Sequence, residues 1–346
     1  MKILVIQQKM IGDVLTSSIL FEALRHKYPN ATLHYLINEH TYPVVQNNPF
    51  IDDFIFFTKL AETSQRELFK LAQTVKLANY EVVVDVYSKL SSNLITALSG
   101  AKTKISYYKK YTTFLYNFNV KRKRTSGSLA IENRLQLLKP LGIEASSIKP
   151  KIYLTKEETN NSKQFLLENG LDFSKPIFMI GVLGSGANKT YPPKYMSQVI
   201  DTVYRETKGQ ILFNYIPKQK EQAESIFNHC SDNTKKSVFF DVFAGNLRDF
   251  LAITFHCNAL IGNEGGAVNM AKALNVSTFA IFSPWIDKST WSLFESNENM
   301  SVHLKDFKPN IYNKPEKSFK KESDKLYQIF TPNLFKKKLI DFLKKI

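Results

Sequence analysis

Three short stretches of the chain combine residue types that could do chemistry. In KMIGDVLTSS (residues 9–18) a Gly-Asp pair follows the apolar run KILVIQ, so Asp13 falls where a strand would turn into a helix. Gly12 permits a sharp reversal and Asp13 could simply cap the helix. A carboxylate at the carboxyl end of a parallel strand is also where open α/β sheets gather their chemistry. In GVLGSGANKTYPPKYM (181–196) an apolar run enters Gly184-Ser185-Gly186, then a polar loop with Lys189 and Thr190, then Pro192-Pro193. Proline suits a first helical turn, and glycine-rich amides beside a helix start, with a serine, a threonine and a lysine at hand, suit a phosphate or pyrophosphate. The stretch is neither GxxxxGK[ST] nor GxGxxG, and a plain turn between strand and helix accounts for it equally. In LIGNEGGAVNMAKAL (260–274) the sequence Asn263-Glu264-Gly265-Gly266 opens a helical pattern that carries Asn269. The glycines allow close backbone approach to a ligand. Glu264 would either favour the helix dipole or accept hydrogen bonds from the hydroxyls of a ribose.

The charge narrows the partners. With 346 residues and a net charge of +16, the chain calls for something acidic: nucleic acid, an anionic membrane surface or a phosphorylated substrate. Lys102, Lys104, Lys109, Lys110, Lys121, Arg122, Lys123 and Arg124 are eight basic residues in a stretch without an acid. Tyr107, Tyr108, Tyr111, Phe114, Tyr116 and Phe118 are interleaved with them, and the combination reads as an anion-binding surface. A second basic region from Lys305 to the end, including Lys336-Lys337-Lys338, reads as a solvated face. No helix–turn–helix, RNP or zinc-finger pattern supports nucleic acid as the partner, and none is expected. The first turn lacks GxGxxG, which speaks against a nicotinamide-dependent oxidoreductase. Two cysteines and six scattered histidines show no metal-ligand spacing, so neither a metal nor another cofactor is expected. Without a signal-peptide pattern or an apolar run of about 20 residues, a cytoplasmic protein is expected.

The elements that must position these residues alternate regularly. Strand-like runs occupy 2–7, 32–37, 53–57, 81–87, 177–183, 210–216, 237–242, 258–262 and 277–282, and amphipathic stretches such as 14–28 and 192–207 separate them. Such alternation predicts parallel sheets with helices on both faces. The series breaks once, after a helical segment at 131–141, in the polar stretch IEASSIKPKIYLTKEE. The expectation is an α/β protein of two Rossmann-like, doubly wound domains facing a cleft, 1–155 and 156–346. A last helix, about 333–346, is expected to pack back on the first domain.

Taken together, KILVIQQKMIGDVLTSS, GVLGSGANKTYPPKYM and GNEGGAVNMAKALNVSTFAIFSP resemble, in order and separation, the motifs of the lipopolysaccharide heptosyltransferases, glycosyltransferase family 9. DVFAGNLRDFLA (241–252) resembles a further element of that family. The resemblance implies the GT-B architecture, with an acceptor-binding first domain and a nucleotide-sugar-binding second domain. It implies an inverting, metal-independent transfer of a heptose or related sugar from a nucleotide diphosphate, ADP-heptose above all, to a lipopolysaccharide-core or other anionic glycolipid; the alternative is another GT-B enzyme such as a nucleotide-sugar epimerase. By the same resemblance Asp13 is the catalytic base and Lys189 the second catalytic residue. Gly184, Ser185, Gly186, Lys189, Thr190, Asn263, Glu264, Gly265, Gly266 and Asn269 hold the donor. From the charge pattern, Lys121, Arg122, Lys123 and Arg124, with Lys9 and Gly12 beside Asp13, are expected to face the acceptor, with peripheral contact to the inner membrane and a monomeric enzyme. The chain departs from the family pattern at Asn269, where a histidine is usual, and at Gln7, where a basic residue is usual.

Overall fold

The computed structural model describes residues 1–123, 129–145, 147–313 and 316–346. The chain divides into two compact units: Met1–Tyr153 with Ser289–Leu293, and Leu154–Lys288 with Phe294–Ile346. In the first, β1 (Lys2–Ile6), β2 (Thr32–Asn38), β3 (Asp53–Phe57), β4 (Val82–Asp85), β5 (Thr103–Tyr107) and β6 (Phe118–Val120) form a parallel sheet in the order β3-β2-β1-β4-β5-β6. In the second, β7 (Ile177–Gly181), β8 (Gln210–Phe213), β9 (Val238–Phe239), β10 (Ala259–Asn263), β11 (Ser277–Ile281) and β12 (Asn299–Val302) repeat it as β9-β8-β7-β10-β11-β12. Strand order therefore reverses between β1 and β4, and again between β7 and β10. At such a reversal neighbouring loops leave in opposite directions and open a crevice at the carboxyl ends of the strands.

The central strands are continuous apolar runs because both faces of each sheet are covered. Ile3, Leu4, Val5 and Ile6 of β1 and Val83 and Val84 of β4 are fully buried. In the second unit Met196, Val199, Ile200 and Val203, four positions on one face of the helix Pro193–Thr207, pack with Phe178, Ile180 and Phe213. The terminal helix Lys336–Leu343 lies against that same helix, and its Leu339, Phe342 and Leu343 enter the core of the second unit. The apolar stripe of this last helix is thus part of the second unit's own core. The stretch 14–28 forms two helices, Ile11–Ser17 and Ile19–Lys27, separated at Ser18, whose hydroxyl donates to the Leu15 carbonyl. Cys230 and Cys257 are buried free thiols, and burial pushes both up to about 12.

At the carboxyl end of β4, Asp85 is wholly buried and desolvation pushes its carboxyl up to about 6. One oxygen accepts the Ser88 N–H at 2.7 Å, while the other lies 2.6 Å from the Tyr116 hydroxyl, itself 2.7 Å from Asn93 Oδ1. Tyr116 has one proton for two acceptors. Either a proton on Asp85, donated to Tyr116, or a turned Asn93 amide donating to the Tyr116 oxygen resolves the conflict. Because this group is raised from about 3.9 in the unfolded chain, its stabilising proton is fully held below about pH 4 and lost above about pH 6. Asp85→Asn keeps the shape without the charge. In urea melts the stability of the variant relative to the parent should rise by about 2–3 kcal/mol between pH 4 and pH 7. A difference that stays constant across that range would mean that Asp85 does not carry this proton.

Candidate active site

Each unit gathers its chemistry-bearing residues at its own switch point. In the first, Asp13 follows β1 as the third residue of the helix Ile11–Ser17; the cap position is Met10, so Asp13 is not the N-cap. Its Oδ2 reaches back to accept the Met10 N–H at 3.3 Å. Its Oδ1 accepts from Arg134 Nη2 at 2.6 Å. Arg134 comes from the helix Leu129–Leu135, with a side chain only 9% exposed; its Nε donates to Ser17 Oγ at 2.8 Å and its Nη1 to the Ala130 carbonyl at 2.7 Å. A guanidinium this buried needs a carboxylate partner, and the pairing fixes Asp13 in one orientation. Nothing in the sequence period announces a partner 121 residues away, and sequence reasoning missed it.

Asp13 and Arg134 border a cavity of about 380 Å³ that Gln7, Lys9, Lys89, Tyr107, Arg122, Lys123 and Asn133 also line. Lys9 is hydrogen-bonded to Glu62; that bond is the main reason the lysine is raised and the glutamate lowered. The Arg122 guanidinium carbon lies 3.9 Å from the centre of the Tyr107 ring, a cation–π contact. Lys123 Nζ pairs with Glu132 at 3.2 Å, and its N–H donates to Asn133 Oδ1. Lys9, Arg122 and Lys123 thus meet Asp13 around one cavity; Gly12 is the second residue of the helix Ile11–Ser17 and not the turn residue expected from the sequence. Lys121 does not line it, lying instead over the Tyr108 ring. Arg124 lies outside the described residues. Tyr107, from the basic-aromatic stretch, lines the cavity too, as do Lys89 and Arg134, which were not foreseen.

In the second unit two glycine-bearing loops face each other, after β7 and after β10. Gly184 is required by packing: a Cβ there would fall 2.2 Å from the Lys189 carbonyl oxygen. The Gly184 N–H donates to Thr190 Oγ1 at 3.0 Å, and that hydroxyl donates to the Gly186 carbonyl, so Thr190 closes the loop from inside while Ser185 and Gly186 stay exposed. Asn263 is buried, accepting the Tyr191 N–H at 2.7 Å and donating to the Gly181 carbonyl at 2.9 Å. Its amide joins the two loops. Gly265 precedes the helix Gly266–Ala273 with φ near +154°, a conformation that needs glycine. Asn269 is half-buried on that helix.

Glu264 is the unusual group. Its side chain is 9% exposed, and Oε1 has no hydrogen-bond partner among the described residues. Lys189 Nζ stands 3.7 Å away, beyond hydrogen-bond reach, and 5.6 Å from the centre of the Trp285 ring. Burial raises the Glu264 carboxyl, and the lysine charge pulls it partway back. A half-exposed cation beside an unsatisfied buried acceptor can receive a ligand that brings both an anion and a hydroxyl donor. Among the described residues no cluster of three or more His, Cys, Asp or Glu side chains could hold a metal ion, and no helix is long and apolar enough to cross a membrane.

A model of glycosyltransferase family 9 (heptosyltransferase) matches residues 68–320, a range that contains Lys189 and Glu264 and begins after Asp13. A putative glycosyltransferase of Haemophilus influenzae is 23% identical over 289 residues, covering 81% of this chain and 82% of that one. Among solved structures, a family 9 glycosyltransferase from Veillonella parvula superposes with a TM-score of 0.76 at 16% identity, covering 94% of this chain and 97% of that one. The ADP-heptose lipopolysaccharide heptosyltransferase II of Escherichia coli superposes at 0.70 with 17% identity, covering 95% and 99%. The doubled α/β architecture expected from the sequence is the fold of these proteins.

Proposed function

The chain belongs to glycosyltransferase family 9, and from that premise we propose that it moves a heptose-type sugar from ADP-heptose to an anionic glycolipid of the lipopolysaccharide-core kind, inverting the anomeric centre without a metal. The observation that carries the donor half is the Lys189–Glu264 pair on its two glycine loops. The diphosphate would lie against the loop amides and Lys189, and a hydroxyl of the donor would satisfy Glu264 Oε1. The ADP-heptose transferase among the structural relatives supports adenine and heptose over other nucleotides and sugars.

The acceptor half rests on the cavity around Asp13, where Lys9, Lys89, Arg122 and Lys123 supply cations for an anionic saccharide. In the transfer an acceptor hydroxyl oxygen bonds to C1 of the sugar, and its proton passes to Asp13. The C1–O bond to the β-phosphate breaks, and the electron pair leaves with the diphosphate, whose growing charge Lys189 and the loop amides stabilise. One displacement inverts C1. Arg134 keeps the carboxylate oriented, and no step draws on a bound cation other than those of the chain.

A thermal-shift panel of ADP-, GDP-, UDP- and CDP-sugars in EDTA tests this. ADP-heptose should raise the melting temperature with EDTA present, and the product formed with a core-type acceptor should carry the inverted anomer by NMR. Stabilisation by another nucleotide alone, or only with added metal, would overturn the reading.

A further inference from the structure

We propose that the groove between the helix Leu90–Leu98 and the segment 109–115 seats the first unit on an anionic lipid bilayer. Leu90 is 86% exposed, Phe114 82% and Tyr111 72%. Single exposed apolar residues are ordinary on a protein surface. These three are not scattered. They rim, with Leu94, one apolar groove of about 460 Å³ whose floor includes Ala97 and Leu115. A concave patch of this kind marks an interaction surface rather than a solvated face.

Charge decides which surface it fits. From residue 86 to residue 131 the chain has nine basic residues and no acidic one. Some of these lysines serve the fold: Lys104 Nζ donates to the Ala97 carbonyl, and Lys109 Nζ to that of Ser88. Lys89, Lys110 and Lys121 are exposed. An apolar insertion and a basic rim are the two signals that together give stable binding to a bilayer, because either alone is marginal. An acidic protein partner would satisfy the rim and leave the aromatic side chains without a reason to be exposed.

The position also fits. Lys89 lines both this groove and the cavity around Asp13, so the two are neighbours on the carboxyl edge of the first sheet. A lipid-anchored acceptor could keep its chains in the bilayer while its anionic sugars entered the cavity. That purpose rests on the transferase reading above; the bilayer contact itself does not.

The test uses the full chain and the variant Leu90→Ser, Tyr111→Ser, Phe114→Ser, whose exposed positions leave the core intact and whose melting temperature verifies it. Both are sedimented with vesicles of equal parts phosphatidylglycerol and phosphatidylcholine, and with pure phosphatidylcholine, at low and high salt, while ADP affinity is measured on the same preparations. The parent should bind the anionic vesicles, less so at high salt, and the variant should lose roughly tenfold or more of that partitioning with ADP affinity unchanged. Equal vesicle binding by parent and variant overturns the proposal. So does equal binding to neutral and anionic vesicles, or self-association of the parent that the variant abolishes, which would make a second copy the occupant. Salt-sensitive vesicle binding that the variant loses, in a protein that binds no ADP, would uphold the docking surface and overturn the donor reading instead.

Discussion

Asp13→Asn is expected to lower turnover by roughly 10²–10⁴-fold, the range lost with a general base, while ADP affinity stays at the parental value. The amide keeps the size of the carboxylate and an oxygen for Arg134, but it cannot take the acceptor proton. Were Asp13 unpaired, a thermal melt would separate a base from a helix cap, since only loss of a cap would cost stability. The structure removes that distinction. Arg134 is nearly buried and pairs with Asp13 at 2.6 Å, so neutralising the carboxylate strands a guanidinium in either case. Because Asn still offers an acceptor and Asp13 is partly solvated, the cost should be about 1–3 kcal/mol rather than that of a fully buried pair. A lowered melting temperature is therefore expected whichever role Asp13 plays. Only turnover, measured below the melting range, discriminates. Near-parental turnover in Asp13→Asn would sink the assignment of the base.

Lys189→Ala should weaken ADP binding by roughly 10–100-fold, the worth of a hydrogen bond to a charged group, as read by isothermal titration. The neighbouring acid adds a second signature. Without the lysine charge, burial acts unopposed on Glu264 and raises its carboxyl further. While still ionised it would repel the diphosphate, and once protonated it would not. ADP affinity of the variant should therefore improve as pH falls, and Glu264→Gln in the same chain should recover part of the loss at neutral pH. A Lys189→Ala protein that binds ADP like the parent would remove this loop from the donor site.

What the sequence disclosed and withheld has identifiable causes. The strands at the centre of each sheet were legible because burial on both faces makes them continuous apolar runs, as in KILVIQ and EVVVDVY. β5, β6 and β12 were not. In β5 Lys104 interrupts the apolar run, because its long stem reaches the Ala97 carbonyl at the end of a neighbouring helix. β6 spans only Phe118–Val120, too short for an alternation to show. In β12 the buried residues include Asn299, which accepts from Thr278 Oγ1, and Ser301, which donates to Glu295. Buried polar residues that find partners look like loop in a sequence. Asp13, Lys189 and Glu264 stood out because each comes soon after a buried strand and has glycine nearby, the place where open α/β sheets gather their chemistry. The partners that tune them did not, since Arg134 and Lys89 approach from elements that share no local pattern with Asp13.

Asn263 bears on the thermodynamics of the proposed donor capture. Its amide holds the Gly181 carbonyl at one end of the loop 182–190 and the Tyr191 N–H at the other. The loop is thereby pinned at both feet to the end of β10, and its closure entropy is lost when the chain folds. A diphosphate arriving later meets amides that have little configurational freedom left to surrender, so a larger part of each contact survives as affinity. If the loop is the donor site proposed above, its ordering cost is met before the nucleotide arrives.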